Sequence, residues 1–146
     1  MSGKAFVLKA MCLFVHDGKV LLQAPQTLKP NKAGINFYRP VGGHIEYLET
    51  SEQCIKREIQ EELCTQVLNL TFLEAIENIF EYNDRKVHEI VFLYKGDLEN
   101  KDLYKKEKIH IVEKDYEFDA VWIEIEKILN GEIILVPKTD YQKFLS

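Results

Sequence analysis

The chain has 146 residues, 46% hydrophobic and 29% charged, with a formal net charge of -5, enough for one self-sufficient core, so residues 1–146 are read as a single domain. The acidic balance argues against a broad phosphate-backbone footprint and excludes a general nucleic-acid binder, so an anionic ligand must be met locally, by metal or by a few Lys and Arg side chains. No run approaches the roughly 20 apolar residues that span a bilayer, and Lys9 interrupts the apolar stretch 5–15 with no small-residue cleavage site after it, so neither membrane nor secretion is expected and a cytoplasmic location is the default.

In chain order, the apolar runs 6–16 and 19–23 flank Asp17-Gly18, a dipeptide at ease with positive φ, and predict an opening β-hairpin. Residues 24–36 carry Pro25, Pro30 and Gly34 and read as a loop leading to a short extended piece at 37–40. Gly42-Gly43 reads as a turn. Thr50 is a good N-cap and Gln53 completes a capping box, so a helix is expected over 51–63. Residues 67–81 and 86–95, β-branched and aromatic around Asn83-Asp84, predict a second and longer hairpin. The polar stretch 96–108 reads as an irregular excursion. Residues 118–125 predict a strand feeding a short helix that Asn130-Gly131 ends, and 140–145 a last helical turn. Hairpins with few helices put the chain in the α/β (α+β) class. Cys12, Cys54 and Cys64 are odd in number and lack a CxxC or zinc-like spacing, so they read as reduced, buried thiols.

The densest chemistry lies in the predicted helix and the residues before it. At about 100° per residue, Glu58, Glu61 and Glu62 share one arc, and Ile55, Ile59 and Leu63 occupy the next, so one stripe packs and its neighbour is free to bind. Carboxylates this close repel by a few tenths of a kcal/mol for each i,i+4 pair, a conflict that a divalent cation removes. A charge run is ordinarily a solvated face; Gly43 and Glu49 upstream move the reading toward a site.

Gly43, Glu49, Arg57, Glu58, Ile59, Glu61 and Glu62 fall in register with the Nudix box, G-x5-E-x7-R-E-U-x-E-E-x-G-U, and the chain resembles that family. Six fixed polar or Gly positions agree by chance at about 10^-7 per start, or roughly 10^-5 in a Glu-rich chain, so the match is specific. Cys64 and Thr65 depart from the box's final Gly and aliphatic residue, which bears on the helix exit and leaves the carboxylates intact. The resemblance implies a mixed sheet sandwiched between helices. It also implies magnesium-dependent hydrolysis of a phosphoanhydride in a nucleoside diphosphate linked to another moiety, X, with manganese able to substitute. By the family pattern Glu58 and Glu62 are direct metal ligands, Glu61 is a further ligand or water orienter, and Gly42 gives a backbone carbonyl. Glu49 and Arg57 brace the loop on the helix, although Arg57 can equally pair with Glu61 at i,i+4.

The family often takes a base or further ligand from outside the box, for which Glu117, Glu113 and Glu89 are the candidates, the first two because they precede the strand around Val121-Trp122. Tyr82, Phe80 and Tyr38 are candidates to stack a base, although most such aromatics are simply core. Tyr82 resembles the mark of Nudix enzymes that cleave dinucleoside polyphosphates, whereas the proline of the ADP-ribose-cleaving group is absent. The partner expected is a nucleotide-type small molecule, and the reading leaves room for a homodimer. The competing class is a catalytically silent Nudix-fold module that binds a nucleotide without cleaving it.

Overall fold

The computed structural model of the chain describes residues 5–25, 36–113 and 116–145. Pro30 and Gly34, which marked the expected loop, lie outside the described residues. The opening hairpin forms as expected: β1 (Phe6–His16) turns at Asp17 and Gly18, at φ 51° and 73°, into antiparallel β2 (Lys19–Gln23). β3 (Arg39–His44) follows, then α1 (Ser51–Leu63). The long hairpin β4 (Val67–Tyr82) and β5 (Arg85–Leu98) turns at Asn83 and Asp84, both at positive φ (50° and 65°). A 3-10 turn at Lys101–Lys105 leads into β6 (Lys108–Glu113), β7 (Tyr116–Glu124), α2 (Ile125–Leu129) and α3 (Gln142–Leu145).

The strands form one mixed sheet in the order β4-β5-β1-β3-β2-β7-β6, with β1 and β5 parallel. β1 sits between β5 and β3 and is covered on both faces. Its even residues Ala10, Cys12 and Phe14 share a core with Cys54, Ile55, Ile59 and Leu63 of α1. Its odd residues Met11 and Leu13 share the opposite core with Val91, Leu93, Ile125, Leu135, Tyr141 and Leu145. A strand buried on both faces reads as a continuous apolar run instead of an alternation, which explains why the N-terminal stretch looks so hydrophobic. Each fully buried Leu or Ile contributes about 1.5–3 kcal/mol, so α1 is fixed to the sheet chiefly by Ile55 and Ile59, both at zero exposure.

Two expectations need correction, and one strand was not expected. Gly42 and Gly43 belong to β3 and not to a turn: strand pairing runs through both, opposite Met11 and Ala10. Residues 96–98 continue β5, and the excursion shrinks to the 3-10 turn, whose cap Asn100 accepts from Asp102 N at 3.1 Å. In β6, Ile109 and Ile111 face inward while Lys108, His110 and Val112 are exposed, an alternation too short to stand out in the sequence. Among the described residues no helix is long and apolar enough to cross a membrane.

Candidate metal centre and adjoining cleft

The loop from β3 to α1 is built around its last carboxylate. Thr50 caps the helix, its hydroxyl accepting from Gln53 N at 3.1 Å while Thr50 N donates to Gln53 Oε1 at 2.9 Å. One residue earlier, Glu49 Oε1 accepts from Glu46 N at 3.1 Å and from Arg57 Nη2 at 2.9 Å, and Glu49 Oε2 accepts from Arg57 Nε at 2.7 Å. The guanidinium holds the Glu49 carboxyl down at about 2. Arg57 also donates from Nη2 to His44 O at 3.0 Å and from Nη1 to Glu58 Oε1 at 2.9 Å, with Glu61 Oε2 at 3.4 Å. One side chain thus ties the loop, the end of β3 and two helix carboxylates together, and the two pairings left open from the sequence, with Glu49 and with Glu61, coexist.

Glu58 lies flat on β3. A Cβ at Gly43 would sit 2.5 Å from Glu58 Oε1 and 2.7 Å from Oε2, so only glycine leaves room for the carboxyl there. A Cβ at Gly42 would strike the Ala10 carbonyl oxygen of the neighbouring strand. The two glycines serve close approach, one of a strand and one of a carboxylate.

Glu58, Glu61 and Glu113 each offer an oxygen within 4.8 Å of the others. Glu58 and Glu62 are buried, at 9% and 8% exposure, whereas Glu61 is largely in solvent. Burial raises the Glu58 carboxyl against the pull of Arg57. Glu62 is raised further, first by burial and then by the charges of Glu58 and Glu113. Glu62 Oε1 and Glu113 Oε1 are both buried, with no hydrogen-bond partner among the described residues. Buried carboxyl oxygens without donors resist ionisation unless a cation meets them. Four carboxylates, two of them held by Arg57 and two carrying an orphaned oxygen, fit a hard divalent ion that prefers oxygen ligands.

The structure separates the three candidates from outside the box. Glu113 shares strand parity with inward-facing Ile111, so it turns toward α1 and joins the cluster. Glu117, opposite Val112 on β7, is exposed and takes the His110 ring, Nε2 to Oε2 at 2.7 Å, away from the cluster. Glu89 lies elsewhere, buried at 2% exposure on β5. There its Oε1 accepts from Asn78 Nδ2 at 3.0 Å, and Lys9 Nζ stands 3.0 Å from Oε2, outside hydrogen-bonding angles.

Asn78, Glu89 and Lys9 border a cleft of about 670 Å³, next to which stand Arg39, His44, Phe37 and Lys138. Phe80 and Tyr82 line it as well. Tyr38 does not: it packs against the second core, its backbone bridged to Leu135. Lys9 and Arg39 were not singled out as site residues from the sequence. A charge in the middle of a strand that is otherwise apolar on both faces was the signal for Lys9.

Two cysteines are buried and one is not. Cys12 and Cys54 sit in the core, and burial beside Glu49 pushes the Cys54 thiol up to about 12 while it donates to His44 O at 3.4 Å. Cys64 is exposed, contrary to the expectation of three buried thiols. It also takes the left-handed conformation, φ 54° and ψ 40°, and donates N–H to Gln60 O. The helix ends there in the left-handed conformation that the family's glycine would supply.

A family model for the NUDIX domain matches residues 6–141. The chain is similar in structure to a MutT NUDIX hydrolase from Burkholderia pseudomallei, at 20% identity and TM-score 0.60, covering 97% of this chain and 96% of that one. A NUDIX hydrolase from Nitrosomonas europaea matches at 18% identity and TM-score 0.62, covering 97% and 86%. A mutator MutT protein from Bacillus halodurans matches at 16% identity and TM-score 0.56, covering 90% and 75%. At these identities the structural likeness speaks to the fold, and it agrees with the mixed sheet described above. The family match spans nearly all of the described chain, box included: the chain belongs to the Nudix family.

Proposed function

We propose that the chain is a magnesium-dependent pyrophosphohydrolase that cleaves the phosphoanhydride of a nucleoside diphosphate linked to a second moiety, with Glu58, Glu61, Glu62 and Glu113 as the donor set for the ion. The observation that carries the reading is the pair of orphaned buried oxygens, Glu62 Oε1 and Glu113 Oε1, beside the Glu58–Glu61–Glu113 cluster. A structural role for α1 leaves that arrangement unexplained: Arg57 offsets the charges of Glu58 and Glu61, but the buried oxygens of Glu62 and Glu113 gain no donor among the described residues.

An ion held there supplies charge neutralisation on phosphate oxygens and activation of water at neutral pH. The chain's own residues do the rest. Arg57 fixes the Glu58 carboxyl through Nη1 and keeps the loop against the helix through Glu49. Glu113, on a separate strand and with one buried oxygen that has no partner among the described residues, is the candidate to take the proton from the attacking water. Phe80 and Tyr82 present rings along the cleft, suited to stacking a base at about 1–3 kcal/mol each.

The experiment is a panel of dinucleoside polyphosphates, nucleotide sugars, ADP-ribose, dinucleotide cofactors and nucleoside triphosphates, assayed with magnesium and read as phosphate released after a phosphatase step. Cleavage of at least one member is expected, and Glu58→Gln or Glu62→Gln should lower its rate at least ~10^2-fold, at tenfold per 1.36 kcal/mol. A Glu58→Gln enzyme within threefold of the parent sinks the assignment. Metal-dependent binding of a methylene analogue with no turnover of any member favours the silent module.

A further inference from the structure

The cleft has an internal order that follows from strand register. Asn78 of β4 stands opposite Glu89 of β5, which stands opposite Val7 of β1. One row inward, Ile76, Val91, Lys9 and His44 face each other across four strands. One and two rows outward come Phe80 and Tyr82. Because alternate residues share a face, these rows grade from apolar core through a polar band to aromatic rings.

Lys9 is the anomaly of the polar band. Its strand neighbours on that face, Met11 and Leu13, are core, and its own side chain is 13% exposed. An ammonium so placed needs a partner, which Glu89 supplies, itself 2% exposed and anchored by Asn78. Glu89 is therefore shielded from any ligand, and the exposed tip of the pair is the cation. Arg39 stands near enough to oppose the charge of Lys9, which burial and this repulsion together hold below its ordinary value. Lys138 adds a third cation, and among the described residues Glu81 is the one further carboxylate that lines the cleft. A positive excess here is notable in a chain whose net charge is -5.

The cationic band also adjoins the carboxylate cluster. His44 lines the cleft, and Gly43, one residue back on the opposite face of β3, carries the Glu58 carboxyl on its backbone. The end of β3 is therefore the partition between the two.

We propose that Lys9 and Arg39 form an anion subsite that holds the phosphate on the ring-bearing half of the substrate, with Glu89 and Asn78 as positioning residues that aim the Lys9 ammonium into the cleft. An anion between the two cations removes their repulsion, and the graded rows then orient the ligand, ring toward Phe80 and Tyr82, phosphate toward β3. The identity of the anion as a substrate phosphate rests on the pyrophosphohydrolase reading; the affinity of the cleft for an oxyanion does not. Glu89 is then neither base nor metal ligand.

The test is metal-free. Inorganic pyrophosphate is titrated in EDTA into the full chain, with the Lys9 backbone amide and the Arg39 Nε–H followed by NMR and affinity measured by calorimetry. Both signals should move saturably. Lys9→Met should weaken binding at least tenfold, Lys9→Arg should stay within about threefold, and Glu89→Gln should weaken binding because the ammonium loses its anchor. Adenosine, which has no phosphate, should leave the Arg39 signal in place. No saturable shift at Lys9 and Arg39 in the parent chain, or a Lys9→Met affinity within twofold, overturns the subsite. If Lys9→Met does not fold, the parent titration and Arg39→Gln, with the same tenfold criterion, decide. Loss of turnover across the substrate panel with this binding intact would remove the hydrolase reading and leave the subsite standing.

Discussion

Arg57 grips Glu49 with a two-pronged fork, Nε to Oε2 at 2.7 Å and Nη2 to Oε1 at 2.9 Å, across eight residues of sequence. The planar guanidinium still has Nη1 left for Glu58 Oε1. A lysine can supply the charge but not three directed donors. Arg57→Lys should therefore lower kcat/KM about 10 to 100-fold with the fold intact, the range typical for groups that orient metal ligands. Circular dichroism and steady-state kinetics check this; activity within twofold would show that the fork is ornamental to the site.

The left-handed Cys64 should be the easiest place to stabilise the chain. A non-glycine residue in that conformation is strained by roughly 1–2 kcal/mol, against which glycine loses some backbone entropy. Cys64→Gly should raise Tm by roughly 2–4 °C and leave activity within about tenfold. A lower Tm, or a dead enzyme, would mean that the helix exit is coupled to the cluster.

Stability should depend on pH and metal together. Glu49 ionises near 2 in place of 4.5, so its contribution is fully present above 4.5 and disappears as pH falls toward 2. Glu62 and Glu58 go the other way. Raised carboxyls bind protons that the unfolded chain releases, so in EDTA stability falls as pH rises from 4.5 through their raised range. Melting in EDTA should be higher at about pH 5 than at about pH 8, Glu62→Gln should flatten the difference, and saturating magnesium should restore Tm mainly at the higher pH. An EDTA profile that rises from pH 5 to 8 would contradict the electrostatics of the cluster.

What could be read from the sequence was what local chemistry decides. Thr50 and Gln53 bounded α1 because a capping box is complete within four residues, and Asp17-Gly18 and Asn83-Asp84 marked hairpins because each turn needs two positive φ values. The box carboxylates were legible because one helix carries them. Glu113 and Glu117 could not be told apart, since strand parity sends one to α1 and the other to His110, and parity became known only once β6 was seen. Asn78 and Glu89 meet across one hairpin, but Lys9 joins them from β1, far away in sequence, and no spacing announces that meeting.

The central claim is that Glu58, Glu61, Glu62 and Glu113 form a divalent-cation site. Titration of Mn2+ at neutral pH, with the free-ion signal followed by electron paramagnetic resonance, tests it without knowledge of the substrate. The parent chain should deplete the free signal saturably, magnesium should compete, and both Glu58→Gln and Glu113→Gln should weaken binding at least tenfold. Equal Mn2+ affinity in parent and Glu58→Gln, or no saturable binding in the parent, would contradict the account.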